Sequence, residues 1–160
     1  MKNLTFVRHG KSGYEIGLPD KQRTLNKTGI EKSRIVADEF KKHLPKQFSI
    51  HSSTAIRAKM TAIIFANIFG IRESEIFYYD QLYTFDGFEL EKIIKLTSDN
   101  VTNLLIFGHN EGITDFVNKF GSINIDNVPT SGLVSIDFES DNWSKIKNGI
   151  TIKTIFPKEL

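Results

Sequence analysis

An alternation of short apolar strands with amphipathic helices, which continues to about residue 120, most constrains the fold of this chain. Strands are predicted at 4–7, 48–51, 77–79 and 104–107, and helices at 30–44, 56–69, 90–96 and 113–120. Two later stretches, 133–138 and 150–156, alternate apolar and polar residues, as strands with one exposed face do. This order predicts an α/β fold, a three-layer sandwich with a mainly parallel central sheet and an antiparallel edge.

The composition excludes several classes of protein. The 160 residues suffice for a single domain, 1–160, and the net charge of +2 without a dense basic block gives no reason to expect a nucleic-acid partner. The absence of cysteine excludes thiol nucleophiles, disulfides and thiolate metal sites. No apolar run is long enough to span a bilayer, and no secretory leader precedes the first strand, so we expect a cytoplasmic protein without a membrane partner.

Local sequence signals predict where the first two helices begin and end. Thr28 and Glu31 have the spacing of a capping box, which predicts the start of the first helix. Ser52 and Ser53 are candidate N-caps for the second helix, and Gly70 is its predicted terminator.

Two predicted strands end in a histidine. The first runs directly into Arg8 and His9, and the strand at 104–107 runs into His109 after one glycine. The carboxyl ends of parallel strands share one edge of a sheet, where Arg57 at the start of the second helix would join them. Arginine forks bind phosphate oxygens, and a neutral imidazole is a competent nucleophile. The set therefore predicts a phosphoryl site.

The other two histidines and the glycine-containing segment after His9 do not require a role in the phosphoryl site. His43 lies on a polar helix face and is expected to be solvated, whereas His51 follows an apolar strand and is expected to be structural or at the pocket rim. Arginines beside the paired histidines would oppose a metal cation, so no metal and no cofactor are expected. Gly10-Lys11-Ser12 resembles the end of a P-loop, but Thr5 stands where that motif requires glycine.

The sequence around these residues resembles the motifs of the histidine phosphatase superfamily, also called the phosphoglycerate mutase-like proteins. Within that superfamily it is most similar to the small SixA-type phosphohistidine phosphatases. The resemblance covers most of the chain in four ordered blocks, which are Phe6-Val7-Arg8-His9-Gly10, Arg23-Thr24-Leu25-Asn26-Lys27-Thr28-Gly29, 52–62 with Arg57-Ala58, and Ile106-Phe107-Gly108-His109-Asn110. The short chain and the segment Val128-Pro129-Thr130-Ser131-Gly132 before Trp143 resemble the SixA-type branch.

The resemblance implies a role for each site residue. His9 would be the nucleophile and would carry the phosphoryl group as a phosphohistidine intermediate. Arg8 and Arg57 would bind the phosphate oxygens, and His109 would hold the same oxygens and help to orient His9. Water would hydrolyse the intermediate, and no metal is expected in this family.

Two positions depart from the pattern of the larger family members. Glu15 stands where they carry asparagine, and Thr84 stands in the place of their glutamate general acid. Asp86, Glu89 and Asp80 are the candidate substitutes, and each could equally be a helix cap or a surface charge.

A missing general acid favours one substrate class. Such an acid is worth about 10²–10⁴-fold when a poor leaving group must be protonated. An alkoxide is such a group, whereas imidazole, with a pKa of about 6.5, leaves readily after protonation by solvent. The sequence therefore predicts a phosphatase that acts on protein phosphohistidine, with a phosphorylated protein as its partner. The alternatives are a small-molecule phosphomonoesterase that uses Asp86 or Glu89, and a non-catalytic module that binds phosphate or a phosphoprotein.

Overall fold

One mixed six-stranded sheet organises the computed structural model, which describes residues 1–160. Its strands in chain order are β1 Lys2–Arg8, β2 Ser49–Ser53, β3 Ile76–Tyr79, β4 Asn103–Gly108, β5 Leu133–Phe138 and β6 Ile150–Ile155. Their spatial order is β3-β2-β4-β1-β5-β6. The first four strands in this order run parallel, and β5 and β6 are antiparallel to their neighbours, which confirms the predicted sheet.

Four helices cover the two faces of the sheet, namely α1 Lys27–Lys41, α2 Ile56–Phe69, α3 Gly87–Lys95 and α4 Gly112–Phe120. Side chains of α1 and α2 share one buried cluster with the sheet, and those of α3 and α4 share another. The three-layer arrangement is therefore as predicted. None of these helices is long and apolar enough to cross a membrane.

Successive residues of the central strands point to opposite cores. Phe6 and Ile106 pack towards α3 and α4, whereas Val7 and Phe107 pack towards α1 and α2. Both faces are covered, so these strands appear in the sequence as unbroken apolar runs. Complete burial of such a side chain stabilises the fold by about 1.5–3 kcal/mol.

The register of the sheet brings the two histidines together. β1 pairs in parallel with β4, and Arg8 lies opposite Gly108. His9 and His109 are the next residues of the two strands, so they leave the sheet side by side at its carboxyl edge. β2 also ends at this edge, because it pairs in parallel with β4.

The starts of α1 and α2 differ from the prediction. Asn26 rather than Thr28 caps α1, because the Asn26 side chain accepts a hydrogen bond of 2.8 Å from the backbone N–H of Gly29. Ser52 and Ser53 stay in β2, and α2 begins after Ala55 without a side-chain cap. The predicted end of α2 is confirmed, since Gly70 adopts a left-handed φ of 76°.

Candidate active site

The site lies where β1, β4 and the first turn of α2 meet. Arg8 is the last residue of β1, His9 and His109 directly follow their strands, and Arg57 is the second residue of α2. The backbone N–H of His9 donates to the carbonyl of Gly108 at 3.0 Å, which ties the two loops together. The structure thus brings together all four residues that the sequence singled out.

His9 is held in one tautomer. Its Nδ1 lies 2.7 Å from the carbonyl oxygen of Gly10, and because a carbonyl only accepts, Nδ1 carries the proton. Nε2 then keeps its lone pair and accepts a hydrogen bond of 3.3 Å from Nε of Arg57. Burial, with the positive charge of Arg57 nearby, lowers the pKa of His9 to about 4. The ring is therefore neutral at pH 7, as a nucleophile must be.

His109 lies beside His9, with the two ring centroids 5.1 Å apart. Its Nδ1 lies 3.5 Å from Nη2 of Arg57, and because a guanidinium only donates, Nδ1 is the acceptor and Nε2 carries the proton. Nε2 therefore donates to Oγ of Ser53 at 2.8 Å. The rings of Tyr83 and Phe85 pack against His109. Burial, together with the charges of its neighbours, lowers the pKa of His109 to about 3, so this ring is also neutral.

Arg8 has a buried donor without a hydrogen-bond partner. Its Nη1 donates to the carbonyl of Val128 at 2.9 Å, whereas its Nε is buried and has no hydrogen-bond partner. Buried donors without a partner are rare in folded proteins. Burial lowers the pKa of Arg8, an effect that Glu111 partly offsets, and the guanidinium remains charged. It can therefore supply an N–H to an anion.

Arg57 is the centre of the site and is only 3% exposed. Besides its contacts to the two histidines, its Nη1 donates to the backbone carbonyl of Asp20 at 2.7 Å, and its Nη2 donates to Oδ2 of Asp20 at 3.0 Å. Asp20 begins a short 3₁₀ turn, Asp20–Gln22, which folds back over the site.

Sequence reasoning missed Asp20. Its carboxylate also accepts hydrogen bonds from the Tyr83 hydroxyl at 2.5 Å and from Nη1 of Arg23 at 3.1 Å. These contacts, led by that from Tyr83, lower the pKa of Asp20 to about 2. The available signal was its position three residues before Arg23, which begins one of the four blocks that resemble the superfamily. The sequence position of Asp20 does not predict that its loop folds against Arg57.

The three carboxylates suggested as proton donors all have structural contacts elsewhere. Asp86 caps α3 by accepting from the backbone N–H of Phe88, and Glu89 forms an exposed ion pair with Lys92. Asp80 accepts from Thr54 at 2.6 Å and from Lys21 at 3.1 Å. None of the three forms a hydrogen bond or ion pair with His9, His109, Arg8 or Arg57.

The remaining candidate residues lie away from the four. His43 is exposed, whereas His51 packs against Phe77 and Tyr79 and bonds Ser49, outside the site. The structure has no group of three or more His, Cys, Asp or Glu side chains placed to hold a metal ion.

The loop that carries His9 lies directly on the start of α1. A Cβ at Gly10 would be 2.9 Å from the carbonyl oxygen of Gly29, and a Cβ at Gly29 would overlap the backbone of Lys11. Both positions therefore need glycine. The close approach of the loop after β1 to the start of α1 constrains the position of the loop that carries His9.

Comparison with known proteins gives the fold a name. No family model matches the chain. Its fold matches the SixA protein of Agrobacterium tumefaciens, with 24% identity, coverage of 96% of this chain and 97% of that one, and a TM-score of 0.80. It also matches a SixA protein histidine phosphatase complexed with tungstate, with 20% identity, 98% coverage of both chains and a TM-score of 0.80. The chain has the histidine phosphatase fold.

Further matches extend this comparison. A mycobacterial glucosyl-3-phosphoglycerate phosphatase, Rv2419c, is 12% identical, with coverage of 96% of this chain and 98% of that one and a TM-score of 0.70. Among sequence relatives, the uncharacterized protein Rv1276c of Mycobacterium tuberculosis is 27% identical over 89% of this chain and 93% of its own length. The uncharacterized protein ML1117 of Mycobacterium leprae is 31% identical over 68% of this chain and 66% of its own.

Proposed function

We propose that this protein is a metal-independent phosphatase that works through a phosphohistidine on His9 and acts on phosphohistidine in another protein. The observation that carries the proposal is the Nε2 lone pair of a neutral, buried His9, which lies against the guanidinium of Arg57. The fold shared with a SixA protein histidine phosphatase supports the same conclusion.

In the first step, the phosphoryl oxygens bind Arg57 and the free Nε of Arg8. His9 Nε2 attacks phosphorus, a new N–P bond forms, and the P–N bond to the substrate imidazole breaks. The leaving imidazole takes a proton from solvent. The two arginines stabilise the charge on the equatorial oxygens, and His109 would donate to the same oxygens after a change of tautomer.

In the second step, water attacks the phosphorus of phospho-His9. The P–Nε2 bond breaks, its electron pair returns to Nε2, and the water proton passes to solvent or phosphate. The Nδ1–H···O=C bond to Gly10 holds the ring in place throughout. Inorganic phosphate and the starting tautomer of His9 result.

The absence of a poised proton donor favours phosphohistidine over alkyl phosphates as substrate. Asp86, Glu89 and Asp80 are occupied elsewhere, and Asp20 has a pKa of about 2, so it is ionised at pH 7 and has no proton to give. A neutral imidazole can leave without such a donor, whereas an alkoxide cannot leave at a comparable rate.

The test is hydrolysis of a phosphohistidine peptide beside sugar and glycerate phosphates, with a chelator present. We expect turnover of the peptide, an alkali-stable phosphoryl label on the wild-type protein, and loss of both in His9→Ala. His43→Ala, which removes an exposed histidine, is the matched control and should retain activity.

Two results would contradict the proposal in different ways. Comparable turnover of alkyl phosphates would show that a proton donor exists and that the substrate class is wrong. Phosphate binding without any label or turnover would make the protein a binding module.

A further inference from the structure

The carboxylate of Asp20 lies where a ligand of Arg57 would lie. Arg57 is held by Asp20 through two groups at once, the backbone carbonyl at 2.7 Å and Oδ2 at 3.0 Å. Arg57 is almost fully buried, whereas the Asp20 side chain is 45% exposed, so Asp20 approaches it from the solvent side. A phosphoryl group entering the site must come from the same side.

A count of donors shows that the two anions compete. A guanidinium has five N–H groups. In Arg57, Nε faces His9 at 3.3 Å, one Nη1 hydrogen and one Nη2 hydrogen go to Asp20, and the second Nη2 hydrogen faces His109 at 3.5 Å. One N–H remains, whereas the two-pronged contact typical of arginine and phosphate needs two.

Three donors hold Asp20 in this position. Besides Arg57, the Tyr83 hydroxyl and Arg23 donate to its carboxylate, at 2.5 Å and 3.1 Å. Arg23 is itself anchored to Ser12, in the loop that follows His9. Three hydrogen bonds therefore hold the ionised carboxylate of Asp20 next to Arg57, where the phosphoryl group is proposed to bind.

We propose that Asp20 is an internal competitor of the phosphoryl group, which occupies Arg57 in the free protein and is displaced when the ligand binds. The inference rests on the proposed role of Arg57 in holding the phosphoryl group. Return of Asp20 to Arg57 after hydrolysis then helps to expel inorganic phosphate, which would otherwise remain bound as product. Because of this contact, the apparent Kd for phosphate equals the intrinsic Kd divided by the fraction of time that Arg57 is free.

The test is calorimetric binding of inorganic phosphate to wild type and to Asp20→Asn. We expect Asp20→Asn to lower the Kd for phosphate on the order of tenfold, which corresponds to a contact that is closed about nine-tenths of the time. Tyr83→Phe, which keeps the ring against His109 but removes one clamp on Asp20, should lower the Kd by a smaller factor.

Asp80→Asn is the matched control. It removes the same charge from a neighbouring 3₁₀ turn, where Asp80 contacts Thr54 and Lys21 but not Arg57. A Kd in Asp20→Asn no lower than that in Asp80→Asn would overturn the proposal, and a weaker affinity would show that Asp20 instead positions Arg57 for the ligand. Binding requires no turnover, so this outcome is separate from a failure of the phosphatase assay.

Discussion

At the scale of single residues, the site is built from groups whose protonation is set by burial and by one backbone contact. The Gly10 carbonyl selects the tautomer of His9, and burial together with the positive charges of the nearby arginines keeps His9 and His109 neutral. The convergence of Arg8, His9, Arg57 and His109 was predictable because each lies at the end of a strand, directly after one, or in the first turn of a helix at the same edge of the sheet. Asp20 was not, because its contact with Arg57 depends on the path of an irregular loop.

Buried neutral histidines make the fold sensitive to acid. Burial lowers the pKa of His9 and His51 to about 4 and that of His109 to about 3. In the unfolded chain these groups titrate near the ordinary value of about 6.5, so below that pH the unfolded state binds more protons. Stability is therefore fully present above pH 6.5 and decreases as the pH falls towards 4.

We expect a lower urea midpoint at pH 5.0 than at pH 7.5. His51→Gln, outside the site, should reduce the difference between the two midpoints, whereas His43→Gln, at an exposed position, should leave it unchanged. Equal midpoints for the wild type at the two pH values would contradict the assignment of buried neutral rings.

At the scale of elements, the contact between the loop after β1 and the start of α1 determines where the His9 loop lies and where the helix begins. The sequence located both elements but placed the helix cap at Thr28, since the capping-box spacing is a local pattern. The observed cap, Asn26, is favoured because its side chain reaches Gly29 while its backbone N–H donates to the carbonyl of Lys11. That tertiary contact could not be deduced from spacing alone.

Gly29→Ala should damage both stability and activity. The added Cβ would overlap the Lys11 backbone, and we expect a loss of about 1–3 kcal/mol in the free energy of unfolding. The His9 loop must also shift, so kcat for the phosphohistidine peptide should fall. Gly13→Ala is the matched control, because a Cβ there meets nothing within 4 Å. Equal unfolding free energies and equal kcat values for the two variants would contradict the close packing of the His9 loop against α1.

At the scale of the whole molecule, the antiparallel pair β5–β6 is joined to the parallel part of the sheet by more than strand pairing. Trp143, between β5 and β6, is fully buried, and its Nε1 donates to the carbonyl of Val101 at 2.8 Å, just before β4. The alternation of elements predicted the two parts of the sheet. The burial of Trp143 could not be inferred, because the residue lies in a short turn between polar neighbours.

This arrangement predicts that the chain unfolds as one unit. Trp143 is the single tryptophan, so its fluorescence reports on the contact between the β5–β6 pair and the parallel strands. Far-ultraviolet circular dichroism, in contrast, reports on all helices and strands. We expect the two urea curves to coincide, as they do in two-state unfolding. An earlier fluorescence transition would show that β5 and β6 detach before the parallel strands.

The position of β1 between β4 and β5 also bears on the order of events at the ribosome. β1 is made first, yet both of its partners in the sheet come from the later part of the chain. The segment that carries His9 therefore lacks both of its neighbours in the sheet until β4 and β5 have been translated. The His9 imidazole therefore acquires its buried surroundings only after β5 has been made, so a chain that ends before β5 would lack the contacts that keep this ring neutral.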